Sequence, residues 1–302
     1  MSATSTTESN RRLKGVGLVF LGSILFSTKA IIVKLMYRQG VDPLSALTLR
    51  MLFALPFFFL IALWSFRQKD RPRLSKQDWW QVIGLGVLGY YLASLFDFLG
   101  LQYISAGLER LILFVYPTIV VLLVAFFEKK PISRAQLLAL ILTYLGIVVA
   151  FLGEVEISND QHTLWGVMLV FLCGFCFAGF IYGSGKIIPR LGTIRFTALA
   201  MCFSCLAIIT HYFIFHPVPL WGYNAAIYQY ALLMAVIATV IPVFCFSESI
   251  RLIGSGDMAI VASVGPISTL VLAFLFLGDP ISAWQILGLC CILLGVWRIK
   301  KK

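Results

Sequence analysis

Charged side chains are scarce in this chain, and acidic ones are the scarcest. Only 12% of the 302 residues are charged, with 13 acidic against 24 basic side chains. A soluble domain typically carries about 25% charged residues, so this chain has too few of them to cover a solvated surface. Hydrophobic residues make up 60% of the sequence, and the mean hydropathy is +0.95. The composition therefore excludes an ordinary soluble domain.

Histidine is also rare, and the short motifs of common catalytic sites are missing from the sequence. His162, His211 and His216 lie in or beside predicted links. No H-E-x-x-H, G-x-S-x-G, P-loop or dinucleotide fingerprint occurs. Two C-x-x-C pairs begin at Cys173 and Cys202, but both fall inside apolar runs, where a zinc site made of thiolates would bury charge at high cost. We therefore expect no metal, no cofactor and no enzymatic activity.

Apolar runs of about 20 residues recur along the whole length, which is the length that an α-helix needs to cross a bilayer. They predict an all-α polytopic membrane protein with ten transmembrane helices. The polar and then basic segment 1–14 is expected to be a cytoplasmic N-terminal tail before a retained first span. The predicted spans are 15–37, 44–66, 79–101, 105–127, 134–153, 164–185, 194–215, 226–249, 256–277 and 284–299.

Lysine and arginine outside these spans, or at their ends, lie almost entirely on one side of the predicted membrane. Ten spans place both termini on the same side, which carries 19 of these residues against Arg38 alone on the other. Cytoplasmic loops are enriched in basic residues, so both termini are predicted to face the cytoplasm. The predicted location is the cell (inner) membrane. The net charge of +11 is then an orientation signal, and nucleic acid is not expected as a partner.

The sequence contains an internal repeat of five spans. Residues 92–150 align without a gap on 241–299, at an offset of 149, and the first span aligns on the sixth at an offset of 151. Five is an odd number, so the second copy must cross the membrane inverted. The predicted domains are a first repeat over 15–153 and a second, inverted repeat over 164–299. Inverted repeats of this kind are typical of alternating-access carriers.

A proline, an acidic residue at a turn, a second proline and a glutamine recur where the fourth span of each copy ends. They are Pro117, Glu128, Pro131 and Gln136 in the first copy, and Pro266, Asp279, Pro280 and Gln285 in the second. With the two five-span copies, this pattern resembles the EamA family of the drug/metabolite transporter superfamily, over about residues 15–299. The resemblance implies an inner-membrane carrier that exports metabolites or amphipathic compounds. It also implies a central cavity formed by the first four spans of each half.

Ionisable side chains inside predicted spans are functional candidates, because each is costly in the membrane unless it is paired or hydrated. The candidates are Lys29, Lys34, Arg50, Asp97, Glu109, Arg110 and Glu248. Six crowd the outer half of the first repeat, and none has a like charge at its repeat-aligned position. Those six comprise four positive and two negative charges, which favours an anionic or zwitterionic solute over a cation.

The candidate substrate-binding residues are Lys29, Arg50, Tyr90, Asp97, Glu109, Arg110 and Tyr116. Helical spacing places Gly86, Tyr90, Ala93 and Asp97 on one stripe, as the wall of a cavity. Two interpretations of the charges stay open: fixed ion pairs that hold the bundle together, or a patch that binds the charged part of a substrate. Either carboxylate is also a candidate carrier of a coupling proton. Pro117 and Pro266, at matching mid-span positions, are candidate hinges.

The sequence thus predicts a secondary transporter that moves a small, amino-acid-like organic metabolite across the cytoplasmic membrane by alternating access. Export is the direction that the family resemblance implies. The alternatives are a proton-coupled efflux carrier for drugs or organic cations, and a flippase for a lipid-linked intermediate. The expected partners are the small-molecule substrate, the lipid bilayer and a coupling proton.

Overall fold

The structure is a computed structural model of the chain. It describes residues 2–67, 74–129, 162–216, 218–262 and 264–300, and between 130 and 161 only 137–138, 141–142, 144–146, 148–149 and 152. Apart from those positions, the predicted fifth span, 134–153, and the pair Pro131 and Gln136 lie outside the described residues.

Every regular element in the described residues is a helix. The α-helices are α1 (Ser2–Arg38), α2 (Pro43–Phe66), α3 (Lys76–Gly86), α4 (Ala93–Gly100), α5 (Ala106–Leu113), α6 (Tyr116–Phe127), α7 (Thr163–Leu191), α8 (Thr193–Phe215), α9 (Ala225–Ala235), α10 (Ile241–Val261), α11 (Val264–Leu277) and α12 (Ala283–Lys300). Short π-helical segments, Val87–Leu92 and Val236–Val240, join α3 to α4 and α9 to α10.

Seven stretches of the described chain are long and apolar enough to cross a membrane. They are Asn10–Arg38, Pro43–Phe66, Lys76–Gly100, Ala106–Phe127, Thr163–Leu191, Thr193–Phe215 and Ala225–Ala259, and α11 is a shorter apolar helix. These stretches coincide with the first four predicted spans and with the sixth to the eighth. The chain is therefore an all-helical, multi-pass membrane protein.

Polar side chains determine where several of these helices begin. Ser75 and Asp78 form a capping box at the start of α3, Ser105 caps α5, and Asn224 caps α9. At the start of α2, Asp42 accepts hydrogen bonds from two backbone N–H groups at 3.0 and 2.9 Å. The first backbone N–H groups of a helix have no intrahelical partner, so each cap supplies the acceptor that the helix end requires.

Two of the long helical stretches are interrupted within one residue of corresponding positions in the repeat alignment. A break at Phe114 and Val115 separates α5 from α6, and α10 ends and α11 begins 148 residues after α5 ends and α6 begins. The π-helical segments begin 149 residues apart, which is the offset of the repeat alignment. The predicted hinges Pro117 and Pro266 lie in the first turn of α6 and α11, where a missing N–H removes no intrahelical bond. Each interruption of the helix therefore lies before the proline, and the helix is not kinked at the proline itself.

Gly254 interrupts α10 with a φ of 84° and a ψ of 161°. A positive φ is readily adopted by glycine and disfavoured for other residues. This position marks the boundary between the predicted eighth and ninth spans, 226–249 and 256–277. The turn between those spans is thus made at a single residue, whereas the sequence predicts a short link.

The two halves of the chain pack against each other. Helix α1 packs along α10 and α11, α2 packs on α8, and α4 packs on α7. Each of these contacts joins a helix of residues 2–127 to a helix of residues 163–277. The buried charged residues of the first half therefore lie against helices of the second half.

Candidate substrate-binding site

One ammonium group faces two carboxylates in the centre of the bundle. Lys29 of α1 is only 3% exposed, and its Nζ lies 2.5 Å from Oδ2 of Asp97 and 3.3 Å from Oε1 of Glu109. Asp97 and Glu109 are 1% and 0% exposed. A buried charge is tolerated when it is paired, and here the partners come from α4 and α5. In this conformation, Lys29 therefore forms the ion pairs that were one of the two open interpretations.

The carboxylates of this cluster have further hydrogen-bonding capacity. Asp97 Oδ1 and Glu109 Oε2 are buried, and neither has a hydrogen-bond partner among the described residues. Glu109 lies in the first turn of α5, where the positive end of the helix dipole favours a carboxylate. The longer of the two contacts of Lys29 is the one to Glu109.

Arg110 is next to Glu109 in the sequence but makes different contacts. Its Nη2 donates to Ser27 Oγ at 3.4 Å, and its Cζ lies 4.8 Å from the centroid of the Phe26 ring. The Nζ of Lys29 lies 4.9 Å from the centroid of the same ring. A cation near the face of an aromatic ring is attracted by the quadrupole of the ring. Among the described residues, Arg110 has no ion pair with a carboxylate.

Two small cavities lie on either side of this ring. The cavity that we call the Lys29 cavity is lined in part by Lys29, Tyr90, Ala93, Ser94 and Asp97. The Arg110 cavity is lined in part by Ser23, Arg110, Phe114, Tyr116, Phe246 and Met258. Phe26, Leu113 and Phe177 contribute to both. Each cavity has a volume of about 20 Å³, close to the space that a single water needs.

Most of the predicted substrate-binding residues come together here. Tyr90 and Asp97 line the Lys29 cavity, Glu109 contacts Lys29, and Tyr116 lines the Arg110 cavity. The predicted wall residue Gly86 is not at either cavity. A Cβ added to it would lie 2.3 Å from the carbonyl oxygen of Ala200, so Gly86 packs tightly on α8. The π-helical segment that follows Gly86 changes the helical register, and the regular spacing assumed from the sequence is therefore wrong at this position.

Arg50 lines neither of the two cavities. It is 1% exposed, its Nε donates to Thr239 Oγ1 at 2.7 Å, and its Cζ lies 5.5 Å from the centroid of the Phe98 ring. Thr239 in turn donates to the carbonyl oxygen of Met234 at 2.9 Å. Arg50 thus connects α2 to the π-helical segment Val236–Val240. Its Nη1 has no hydrogen-bond partner within the described part of the chain.

Two phenylalanines that were not among the predicted site residues separate the cavities. The rings of Phe26 and Phe177 stack with centroids 6.5 Å apart and an interplanar angle of 9°. Tyr116 packs edge-on against Phe177, with centroids 5.1 Å apart. The repeat alignment at an offset of 151 places Phe26 on Phe177. That correspondence was the available signal, because the repeat alignment pairs these two positions.

Contacts between the two halves close both ends of the bundle. At the end where α1 begins, the ion pairs are Arg12 with Asp257 at 3.8 Å, and Arg190 with Asp78. At the opposite end, the pairs are Arg38 with Asp279 at 3.5 Å, and His216 with Asp42 at 3.1 Å. Gln39 and Asn224 add a hydrogen bond of 3.2 Å at that end. In this conformation, side-chain contacts therefore connect the two halves at both ends of the bundle.

The environment of Asp42 lowers its pKa. Burial alone raises the pKa of this carboxyl, but the hydrogen bonds from Ser45 and the proximity of His216 outweigh burial. The net result is a pKa below the ordinary value of an aspartate. Asp42 is therefore ionised at neutral pH, where it caps α2 and faces His216.

A helical, multi-pass membrane protein with paired charges around small central cavities has the features of a membrane transporter. The chain belongs to the EamA-like transporter family, whose model matches residues 13–152 and again residues 164–299. This finding confirms the family resemblance seen in the sequence. The protein is thus a membrane transporter.

Similar proteins agree with this assignment. The uncharacterized transporter YcbK of Bacillus subtilis is 31% identical over 287 residues, which cover 93% of this chain and 91% of YcbK. An uncharacterized transporter of Synechocystis is 27% identical over 319 residues, covering 95% of this chain and 93% of the relative. One crystal structure, 16% identical, superimposes with a TM-score of 0.70 over 96% of both chains. At that identity, the superposition shows the fold alone.

Proposed function

We propose that this transporter is a secondary carrier that moves a small organic anion or zwitterion across the cytoplasmic membrane by alternating access, with export as its expected direction. The observation that carries the proposal is the set of ionisable side chains buried inside the bundle. Lys29, Asp97 and Arg110 line the central cavities, Glu109 contacts Lys29, and Arg50 is buried on α2. Three cations and two carboxylates leave one positive charge in excess, and an anionic group on the solute would compensate it.

The proposal includes ten spans arranged as two inverted five-span repeats, 15–153 and 164–299. Three observations support it: the family model matches twice, the π-helical segments begin 149 residues apart, and the helix breaks recur at an offset of 148, one residue from that spacing. The excess of basic residues on one side supports cytoplasmic termini.

Alternating access requires that each end of the bundle open while the other stays closed. In the proposed mechanism, the cytoplasmic end opens when Arg12 leaves Asp257, and the outer end opens when Arg38 leaves Asp279. These four side chains are partly or largely exposed, and exposed ion pairs contribute only about 0–1 kcal/mol. Separation of these two exposed pairs therefore costs little, but the Arg190–Asp78 pair, whose carboxylate is buried, and the His216–Asp42 contact must separate as well. The helix break at Phe114 is a place where the bundle can bend.

The proposal assigns the coupling proton to Glu109. Lys29, Asp97 and Glu109 together carry one excess negative charge when both carboxylates are ionised, and protonation of one carboxylate removes it. Glu109 is the better candidate because its contact with Lys29 is the longer one, at 3.3 Å against 2.5 Å for Asp97. A cation-efflux carrier fits less well, because Lys29 already occupies both carboxylates.

A second candidate function is the movement of an amphipathic or lipid-linked solute. An apolar groove of about 380 Å³ lies between α1, the α9–α10 stretch and α11. Thr28 and Leu35 contribute to it from α1, and Leu272 contributes from α11. A groove of this kind could hold an acyl or prenyl chain while the headgroup moves through the bundle.

The test is counterflow in proteoliposomes that contain the purified protein. Labelled amino acids, organic anions, organic cations and a lipid-linked sugar are offered with and without a proton gradient. The proposal predicts flux of an anion or zwitterion, and it predicts that Glu109→Gln keeps exchange but loses the response to the gradient. Arg251→Gln is the matched control, because Arg251 is exposed and pairs with Glu248 one turn away in the same helix. Movement of cations alone would contradict the proposal, and movement of the lipid-linked sugar would favour the second candidate.

A further inference from the structure

The two cations that contact Phe26 differ in what balances their charge. Lys29 has two carboxylates within 3.3 Å, whereas Arg110 has no carboxylate partner among the described residues and only one hydrogen bond, to a serine hydroxyl. Ser27, which accepts that bond, itself donates to the carbonyl oxygens of Ser23 and Gly265, at 2.8 and 3.1 Å. Arg110 is only 7% exposed, so its charge is buried without a carboxylate in contact with it in this part of the chain.

A second polar group lines the same cavity without a partner. The hydroxyl of Ser23 is buried, 1% exposed, and has no hydrogen-bond partner within the described residues. A carboxylate can accept hydrogen bonds from both a guanidinium and a hydroxyl. Gly265 keeps the position of the guanidinium open, because a Cβ added there would lie 3.3 Å from Nε and Nη2 of Arg110.

The rest of the Arg110 cavity indicates what kind of solute carries the carboxylate. Its walls include Phe26, Phe114, Phe177, Phe246 and Met258, and none of the described lining residues is acidic. Tyr116 adds one hydroxyl, but an ammonium group or a second carboxylate on the solute would find no oppositely charged side chain among the described lining residues beyond Arg110, and it would lose its hydration. The walls therefore suit a compact apolar body with a single carboxylate.

The Arg110 cavity is separated from the Lys29 cavity by the stacked rings of Phe26 and Phe177. Its volume of about 20 Å³ is far below that of a solute, so the cavity must widen to admit one. Phe114, which lies in the break between α5 and α6, is part of its wall. Movement at this break would therefore change the shape of the Arg110 cavity.

We propose that Arg110 and Ser23 form an anion subsite, on the far side of the Phe26–Phe177 pair from Lys29, that binds the carboxylate of a small apolar monocarboxylate. This inference rests on the proposed transport function and specifies its substrate class. In this proposal, Arg110 recognises the anion, whereas Lys29, Asp97 and Glu109 form the buried ion pairs and carry the coupling proton.

The test is binding of 3-methylbutanoate to the purified full chain in lipid nanodiscs, measured by calorimetry and by the thermal unfolding midpoint. The uncharged amide of the same acid and the dicarboxylate succinate are the comparison probes. We expect the wild type to bind the monocarboxylate and to discriminate against both others. Arg110→Gln is expected to weaken binding by about 10- to 100-fold, since hydrogen bonds to charged groups contribute about 1.5–3 kcal/mol. Ser23→Ala is expected to weaken it by a smaller factor, and Arg251→Gln not at all.

Arg110→Lys keeps the charge and provides a second variant if Arg110→Gln does not fold; it should retain weakened binding. Equal binding of the amide, unchanged affinity in a folded Arg110→Gln or Arg110→Lys variant, or the absence of binding by the wild type would each overturn the subsite. Counterflow separates this failure from failure of the proposed function. If the wild type exchanges another anion or zwitterion, the transport proposal stands and only the subsite is wrong. If no organic solute exchanges, transport itself is refuted.

Discussion

The ammonium of Lys29 lies 2.5 Å from Oδ2 of Asp97 and 3.3 Å from Oε1 of Glu109, so one buried cation compensates two buried carboxylates. The three members of this cluster are not equivalent. Loss of the lysine leaves two uncompensated negative charges, whereas loss of either carboxylate charge leaves a one-to-one pair.

The first prediction follows from this difference between Lys29 and the two carboxylates. Lys29→Gln should lower the free energy of unfolding by about 3–5 kcal/mol, the range found when one partner of a buried ion pair is removed. Glu109→Gln should lower the free energy of unfolding much less, because Lys29 keeps its shorter contact with Asp97. The measurement is the unfolding midpoint of each variant in nanodiscs. A Glu109→Gln variant that is as unstable as Lys29→Gln would show that the cluster does not have this structure.

A second prediction concerns the close packing of α3 against α8. A Cβ at Gly86 would lie 2.3 Å from the carbonyl oxygen of Ala200, whereas no described atom lies within 4 Å of a Cβ added at Gly84. Gly86→Ala should destabilise the protein by about 1–3 kcal/mol through overpacking. Gly84→Ala, in the same helix, should be neutral or stabilising by up to about 1 kcal/mol, because alanine has the higher helix propensity. Comparison of the two unfolding midpoints tests this, and equal effects would contradict the helix contact.

A third prediction concerns pH. Asp42 has a lowered pKa in the folded protein, so its contribution to stability is fully present above the ordinary aspartate pKa of about 3.9. That contribution is lost as the pH falls through the lower, folded-state pKa. Asp42→Asn keeps a capping oxygen but does not titrate, so below about pH 4 the wild type should lose more stability than this variant. Unfolding midpoints between pH 7 and pH 3 measure the difference, and parallel curves would contradict the assignment.

Pairing of the buried charges could be predicted from the sequence, because an ionisable group in a membrane needs a partner. The choice between Asp97 and Glu109 as the partner of Lys29 could not be predicted, and the structure shows that both are used. The residue that the Arg50 side chain contacts could not be predicted either. It depends on Thr239, a residue of the other half that reaches Arg50 only through the packing of α2 beside the π-helical segment.

The positions of the helix ends were largely predictable, since they follow apolar runs and capping residues such as Asp42 and Ser105. The π-helical segments were not, because their sequences, for example VLGYYL at 87–92, are as apolar as their surroundings. That is why Gly86 was assigned to the wrong face. The contact between Phe26 and Phe177 was within reach, because the repeat alignment pairs these two positions.

The central claim is that the two ends of the bundle open in turn around the enclosed charges. The most direct measurement is the distance between spin labels at each end, by double electron–electron resonance, in a background without the native cysteines. Labels at Gln39 and Asn224 report the proposed outer end, and labels at the exposed residues Gln77 and Lys186 report the proposed cytoplasmic end. On titration of pH and of the solute that exchanges, the account predicts that one distance lengthens while the other shortens. Two distances that stay constant, or that lengthen together, would contradict it.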